Sequence, residues 1–226
     1  MSGQTGSTPA STAEEGTGGV ADPSRGRRGA GLSEAQIIEA ALRVIRQDGV
    51  DGLSMRRLSK ELGVTPMAAY YYVSDKQALL DLVVSAALAD IEVPDASAGP
   101  WFVRLRLVID QIDQQVRSHP GIGDILLERM LSTQRGLLGA IIDLLTDAGF
   151  AGPSVLMAYA TVHTYLFGRY RAVLFTPDVN PLAETADNLA RLSVYMDELH
   201  GRDFYDFGVD TIITGLRARL DEQLGS

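Results

Sequence analysis

Between Ser54 and Lys76 the chain sets Arg56 ahead of a Leu62-Gly63-Val64 turn, and Thr65, Met67, Ala68, Tyr70, Tyr71 and Lys76 behind it. With Leu58, Leu62, Val64, Ala69 and Val73 packing two short helices together, those seven residues are left on one outer face. Their chemistry is that of binding a polyanion. Cations, hydroxyls and the backbone N–H groups of helix starts hold phosphate. Met67 and Ala68 can touch a thymine methyl but offer no donor pair for guanine, so Arg56 is the side chain suited to a bidentate contact. A second group is aromatic. Tyr159, His163, Phe167 and Tyr170 recur at helical spacing with Arg171 beside them, while Trp101, Phe102, Met130 and Gln134 stand near other helix ends. Aromatic walls with few polar groups suit an apolar organic ligand, and equally a plain core. Catalytic groupings are weaker. The carboxylate pairs Asp110/Asp113 and Asp197/Glu198 read as solvated helix surface. His119, His163 and His200 lack metal-ligand spacing, and no cysteine is present for thiol chemistry or disulfides. The scattered glycines form no phosphate loop. No catalytic residue, metal or cofactor is assigned.

These groups need helices to hold them. Ser33 with Gln36 has capping-box spacing, Ile37, Ala40, Ala41, Val44 and Ile45 share one face, and Gly49 supplies a stop. Ser54 opens the next helix, and Gly63 gives the sharp turn that a helix-turn-helix requires. Thr65 caps a short helix over 66–72 with Pro66 at its first position, where Tyr72 is expected to point inward. Ser74 with Gln77 repeats the capping-box spacing and starts a helix to about residue 91. The turn formers of 93–100 mark a boundary. Trp101, Leu105, Val108, Ile109, Ile112 and Val116 then make one stripe, with Arg106/Asp110 and Asp113/Arg117 four apart on the opposite face. Further helices are predicted near 122–130, 133–148, 154–174, 182–199 and 203–222, with Gly201 breaking the last two apart. No alternating strand pattern of useful length appears. The expectation is an all-α chain: a tail over 1–30, a three-helix DNA-binding domain over 31–78 and a larger helical domain over 79–226.

Composition bounds this further. The net charge of −9 looks wrong for a nucleic-acid binder, yet residues 25–80 carry nine bases against six acids, and residues 81–226 eleven against twenty. Acidity sits away from the candidate face, and net charge does not veto a local basic surface. Residues 1–30 have almost no large apolar side chain and read as disordered. They end in the basic arm Arg25-Gly26-Arg27-Arg28-Gly29, either a solubilising tail or an arm that touches DNA. No apolar run approaches the ~20 residues of a membrane span, and the N-terminus lacks a signal-peptide core, so a cytoplasmic protein is expected.

From Leu32 to Leu80 the chain resembles the TetR family of transcription regulators. The likeness is carried by Leu32-Ser33, Ile37-Ile38-x-Ala40-Ala41-Leu42, Gly49, Leu53-Ser54-Met55-Arg56-x-Leu58, Leu62-Gly63-Val64, Tyr70 and Lys76-x-x-Leu79-Leu80. It departs at Ser59, where the family usually has Ala, and at Ala69, where it often has Leu. The resemblance implies that Met55 and Arg56 reach phosphate and sometimes a base. It also places Thr65, Pro66, Met67 and Ala68 at base-reading positions and Tyr70, Tyr71 and Lys76 at phosphate-contacting ones. It implies a homodimer on a palindromic double-stranded operator, released by a small-molecule effector. The effector pocket would draw on Trp101, Phe102, Met130, Gln134, Tyr159, His163, Phe167 and Tyr170. The last helix, with Gly208, Thr211, Ile212, Gly215 and Ala218, would form a four-helix dimer interface with the helix before the loop of 176–181, or else be buried within one subunit. A regulator without an effector, an activator, a helical enzyme and a protein-interaction module remain as competing readings.

Overall fold

The structure, a computed structural model, describes residues 32–171, 195, 198, 199 and 201–225. Among them are nine α-helices and no strand: α1 (Glu34–Gly52), α2 (Met55–Leu62), α3 (Pro66–Tyr72), α4 (Lys76–Ala87), α5 (Trp101–Ser118), α6 (Ile122–Thr133), α7 (Arg135–Asp147), α8 (Pro153–Gly168) and α9 (Gly201–Leu224). The fold is all-α, with a helix-turn-helix unit at its N-terminal side and a larger helical part after it. The basic arm of 25–29 lies outside the described residues, as does most of the helix expected over 182–199.

The local signals act where the sequence puts them. Ser33 and Gln36 form a complete capping box at the start of α1. Gly49 (φ 73°) breaks the helical path without ending the element, which runs on to Gly52. The start of α4 differs from expectation. Its cap is Asp75, whose carboxylate accepts from Ala78 N at 2.8 Å, and Ser74 Oγ donates to Asp75 Oδ2 at 3.2 Å. A charged acceptor outcompetes a hydroxyl at the positive end of a helix, and the Ala78 N–H bond is the first cause holding the Asp75 carboxyl below its usual range. α4 stops at Ala87, α8 passes at Gly168 into a 3-10 turn over Arg169–Arg171, and Gly201 is the first residue of α9, not a break before it.

The apolar face of α1 is fully buried and packs on α2 and α4 with Leu53, Leu58, Leu79 and Val83. α4 is shared, because its other side packs on α6. Arg129 on α6 reaches back to Asp81 Oδ1 at 2.6 and 2.8 Å and bonds to Gln77, while Gln134 Nε2 donates to Ser85 Oγ at 3.1 Å. The turn before α6 also touches α1. Gly121 sits at φ 90°, and a Cβ there would stand 2.8 Å from Ile45 Cγ2, so both conformation and space demand glycine. α5, α7, α8 and α9 close the second core around Ile109, Ile112, Leu145, Phe167, Tyr205 and Val209.

One expectation fails here. Asp113 is not on a solvated face: its side chain is 1% exposed. Oδ1 accepts from Tyr170 Oη at 2.6 Å and from Arg169 Nη2, while Oδ2 lies 3.0 Å from Arg117 Nε in ion contact without hydrogen-bond alignment. The i,i+4 spacing to Arg117 suggested a surface pair. The partners that draw Asp113 inward stand 56 and 57 residues away.

Candidate nucleic-acid interface

The α2–α3 corner is built from caps. Ser54 Oγ accepts from Arg57 N at 3.2 Å and starts α2. Gly63 ends it in the left-handed region (φ 67°), donating to the Lys60 carbonyl at 3.3 Å, and Val64 N donates to the Ser59 carbonyl at 3.0 Å. Thr65 Oγ1 then accepts from Ala68 N at 3.3 Å, and Pro66 occupies the first turn of α3. Both departures from the family pattern fit. Ser59 is buried with its hydroxyl donated to the Met55 carbonyl at 2.6 Å, and Ala69 is buried between the helices.

This corner turns Met67 (80% exposed), Tyr71 (86%) and Tyr70 outward beside exposed Thr65 and Pro66, with Ala68 half-buried. The adjacent arginines divide their roles. Arg57 bonds to Asp48 (2.7 Å), Gln47 (2.9 Å) and Glu61 (3.0 Å), clamping α2 to α1. Hydrogen bonds from Arg43 first and Arg57 second hold the Glu61 carboxyl below its usual range. Arg56 is exposed and makes no hydrogen bond or ion pair among the described residues. Exposed Lys60, one turn further along α2, extends this cationic face, a residue that its four-residue spacing from Arg56 could have revealed. Two other residues sit differently. Met55 is 8% exposed with its side chain in the core, and Lys76 Nζ donates to the Val50 carbonyl at 2.9 Å, tying α4 to the end of α1. What each can still present outward is a helix-start backbone N–H. Tyr72, expected to point inward, is 41% exposed with its ring edge-on to Tyr71 at 5.4 Å, because Ala69 and Val73 already fill the buried side of α3.

The aromatic residues separate into three places. Tyr159, His163 and Phe167 line one side of a cavity between α5, α7 and α8, whose other walls include Leu105, Ile109, Ile112 and Ile141. Its space for the centre of a water molecule is about 20 Å³, enough for roughly one water and far below the ~150 Å³ that holds benzene. Trp101 packs edge-on against Phe150 at 5.3 Å, and Phe102 lies under Arg217 at 4.1 Å, neither lining that cavity. Tyr170 belongs to the Asp113–Arg169 cluster and Gln134 to the α4 contact. The Met130 side chain lies outside the described residues.

Burial, opposed by a hydrogen bond to the Leu126 carbonyl, lowers the His163 pKa below its ordinary value near 6.5. The unfolded chain therefore takes up a proton near pH 6.5 that the folded chain refuses, and His163 makes stability fall as pH drops below that point. Urea midpoints at pH 7.5 and 5.5 should differ more for the wild type than for His163→Phe. His119 and His200 are common to both proteins, so equal differences would mean that His163 is protonated in place.

On α9, Thr211, Gly215 and Ala218 are exposed and Ile212 half-buried. Gly208 faces inward instead. A Cβ there would meet the Tyr165 ring of α8, whose hydroxyl donates to the Phe204 carbonyl at 2.6 Å. Beside the exposed stripe runs an open groove of about 780 Å³ bounded by Met157, Ala160 and Thr161 of α8 and Ile212, Gly215 and Arg219 of α9.

The sequence profile described as bacterial regulatory proteins, tetR family, matches residues 37–83. The chain is 26% identical over 226 residues to the HTH-type transcriptional repressor DrrR1 of Streptomyces coeruleorubidus, covering 90% of this chain and 83% of that protein. It is 26% identical over 199 residues to the class D tetracycline repressor protein of Escherichia coli, covering 84% and 91%. Among solved structures, apo ActR from Streptomyces coelicolor superposes with a TM-score of 0.69 at 25% identity, covering 86% of this chain and 99% of ActR. ActR in complex with (S)-DNPA gives 0.68 at 25% identity over 84% and 98%. The capped helix-turn-helix with its outward α3 face defines a sequence-specific DNA-binding transcription regulator. Within that class, the chain is similar to the TetR family, whose profile matches its residues 37–83. Among the described residues no helix is long and apolar enough to cross a membrane.

Proposed function

We propose that this chain is a cytoplasmic repressor, without enzymatic activity, that binds a palindromic operator as a homodimer and is released by a small organic effector. The carrying observation is the pairing of an unengaged Arg56 with the outward α3 residues Met67, Tyr70 and Tyr71 on a rigidly capped corner. Arg56, Thr65, Pro66, Met67, Ala68, Tyr70 and Tyr71 contact DNA by side chain or surface, and Met55 and Lys76 through their backbone N–H groups. Residues 31–78 serve DNA binding and 79–226 serve dimerisation and effector binding, although Ser33–Ser226 forms one compact unit. Exposed Leu156, Met157 and Phe207, together with Thr211, Gly215 and Ala218, support an interface made by α8 and α9 of two subunits. Such a dimer must hold its two recognition helices about 34–36 Å apart to enter successive major grooves. An effector that favours another spacing releases DNA through its differential affinity for the two states.

The effector site is the wall of Tyr159, His163 and Phe167. That ActR, a relative of the same fold, has been solved in complex with (S)-DNPA supports an effector for this chain. The test is fluorescence anisotropy of the protein with its own upstream DNA, with unrelated duplex as competitor and a salt titration. Competitor-resistant binding of two chains per palindromic site is expected. Binding that competitor abolishes, both there and for duplexes selected from a random-sequence pool, would rule the proposal out.

A further inference from the structure

The cavity between α5, α7 and α8 is apolar on nearly every side, being lined by Leu, Val, Ile and Phe apart from two residues, Tyr159 and His163. Both carry a buried polar atom, Tyr159 Oη and His163 Nε2, with no hydrogen-bond partner among the described residues. A folded chain normally pairs such atoms, and two orphans on one wall of one cavity are what a site looks like before its ligand arrives. Their roles can be assigned. Nε2 is the unpartnered nitrogen of His163, and a neutral ring with its proton on Nδ1 presents a lone pair there. Burial pushes the Tyr159 hydroxyl up to about 12, so it stays protonated and donates. No lining residue is charged at neutral pH. The nearby Asp113 and Arg169 are engaged with each other and with Tyr170. A carboxylate or ammonium entering here would lose its hydration with nothing to replace it.

We infer that the effector is an uncharged hydroxyaromatic molecule whose hydroxyl donates to His163 Nε2 while an oxygen, that one or its neighbour, accepts from Tyr159 Oη. This rests on the effector-site reading given above and adds the chemistry of the ligand. The rings support the aromatic part. Tyr159, His163 and Phe167 form a continuous file, with centroids 5.5 and 4.9 Å apart, against which a flat ring can pack edge-on or offset. The void holds about one water, so the ligand enters by parting α5 from α8, and its hydroxyl is what distinguishes it from any other apolar body.

The test uses the full chain and four probes of nearly one shape: 2-naphthol, naphthalene, 2-naphthoate and 2-naphthylmethylammonium, titrated by ligand-observed NMR near pH 7.5. 2-Naphthol should bind at least tenfold more tightly than each of the other three, because a site built to bond a hydroxyl discriminates strongly against its absence. Tyr159→Phe and His163→Phe should each bring 2-naphthol towards the affinity of naphthalene while leaving naphthalene unchanged, which also shows that the variants fold. A hydroxyl preference that survives both substitutions, a charged probe that binds best, or equal binding of 2-naphthol and naphthalene overturns the inference but leaves the effector site standing. Failure of the folded wild type to bind any of the four overturns both.

Discussion

Replacing Arg56 and Tyr71 together by alanine should weaken specific operator binding by about a hundredfold or more while the thermal unfolding of the protein stays unchanged. Each side chain is exposed, and Arg56 makes no ion pair or hydrogen bond among the described residues. Surface substitutions of that kind usually move stability by no more than about 0.5 kcal/mol. The effect on DNA is of a different size. A base-contacting arginine is worth roughly 1–3 kcal/mol, and a phosphate contact lowers the slope of log affinity against log salt by about one. Salt titrations of the single variants therefore tell the roles apart. A large loss with an unchanged slope marks Arg56 as reading a base, and a reduced slope marks it as neutralising phosphate. Arg57→Ala is the control, and it should act mainly on stability because its guanidinium holds Asp48, Gln47 and Glu61. Double-variant binding within threefold of wild type would remove this face from the operator contact.

Asp113→Ala should destabilise the protein by about 3–5 kcal/mol, the usual size when one member of a buried ion pair is deleted and the other is left uncompensated. Arg169 is buried, its Nε has no hydrogen-bond partner among the described residues, and Asp113 also receives the Tyr170 hydroxyl. Burial first, and the bond to Asp113 second, push the Tyr170 pKa well up, in keeping with a hydroxyl held out of water. The joint variant Asp113→Leu/Arg169→Leu should recover much of the loss, because removing both charges removes the desolvation penalty with them. Urea unfolding gives both numbers. A loss below about 1 kcal/mol for Asp113→Ala would mean that water reaches the carboxylate. A double variant no better than the single would mean that Tyr170 or Arg117 matters more than Arg169.

The N-terminal third was legible because its determinants are local. Ser33/Gln36, Ser54, Gly63 and Thr65-Pro66 act within one turn of themselves, and each appears in the structure as the cap or turn that its type predicts. Local rules gave the wrong cap at Ser74, where the adjacent Asp75 is a stronger acceptor. They also misplaced Asp113, whose burial depends on residues more than fifty positions away. Gly208 is expected in the dimer interface, yet the group that approaches it is Tyr165 of the same chain. Helical spacing cannot say which neighbour a small residue admits. The aromatic residues illustrate the same limit. Periodicity grouped Tyr159, His163, Phe167 and Tyr170, but the cavity between α5, α7 and α8 is lined by the first three and not by Tyr170, because the 3-10 turn after Gly168 carries Tyr170 to the ion cluster.

The near-closure of that cavity bears on dose and response. A binding-competent state populated a fraction of the time lowers apparent affinity by that fraction. For the effector proposed here, the packing of Leu105, Ile109, Ile112 and Leu166 across the gap thus fixes the concentration at which repression lifts, separately from the polar atoms that decide which molecule lifts it. Trimming one of those aliphatic side chains would shift the response to lower concentrations and leave ligand preference intact, with thermal stability given up in exchange. Sensitivity and selectivity are thereby written into different residues, and a biosensor built on this chain could be retuned in threshold without being retaught its ligand.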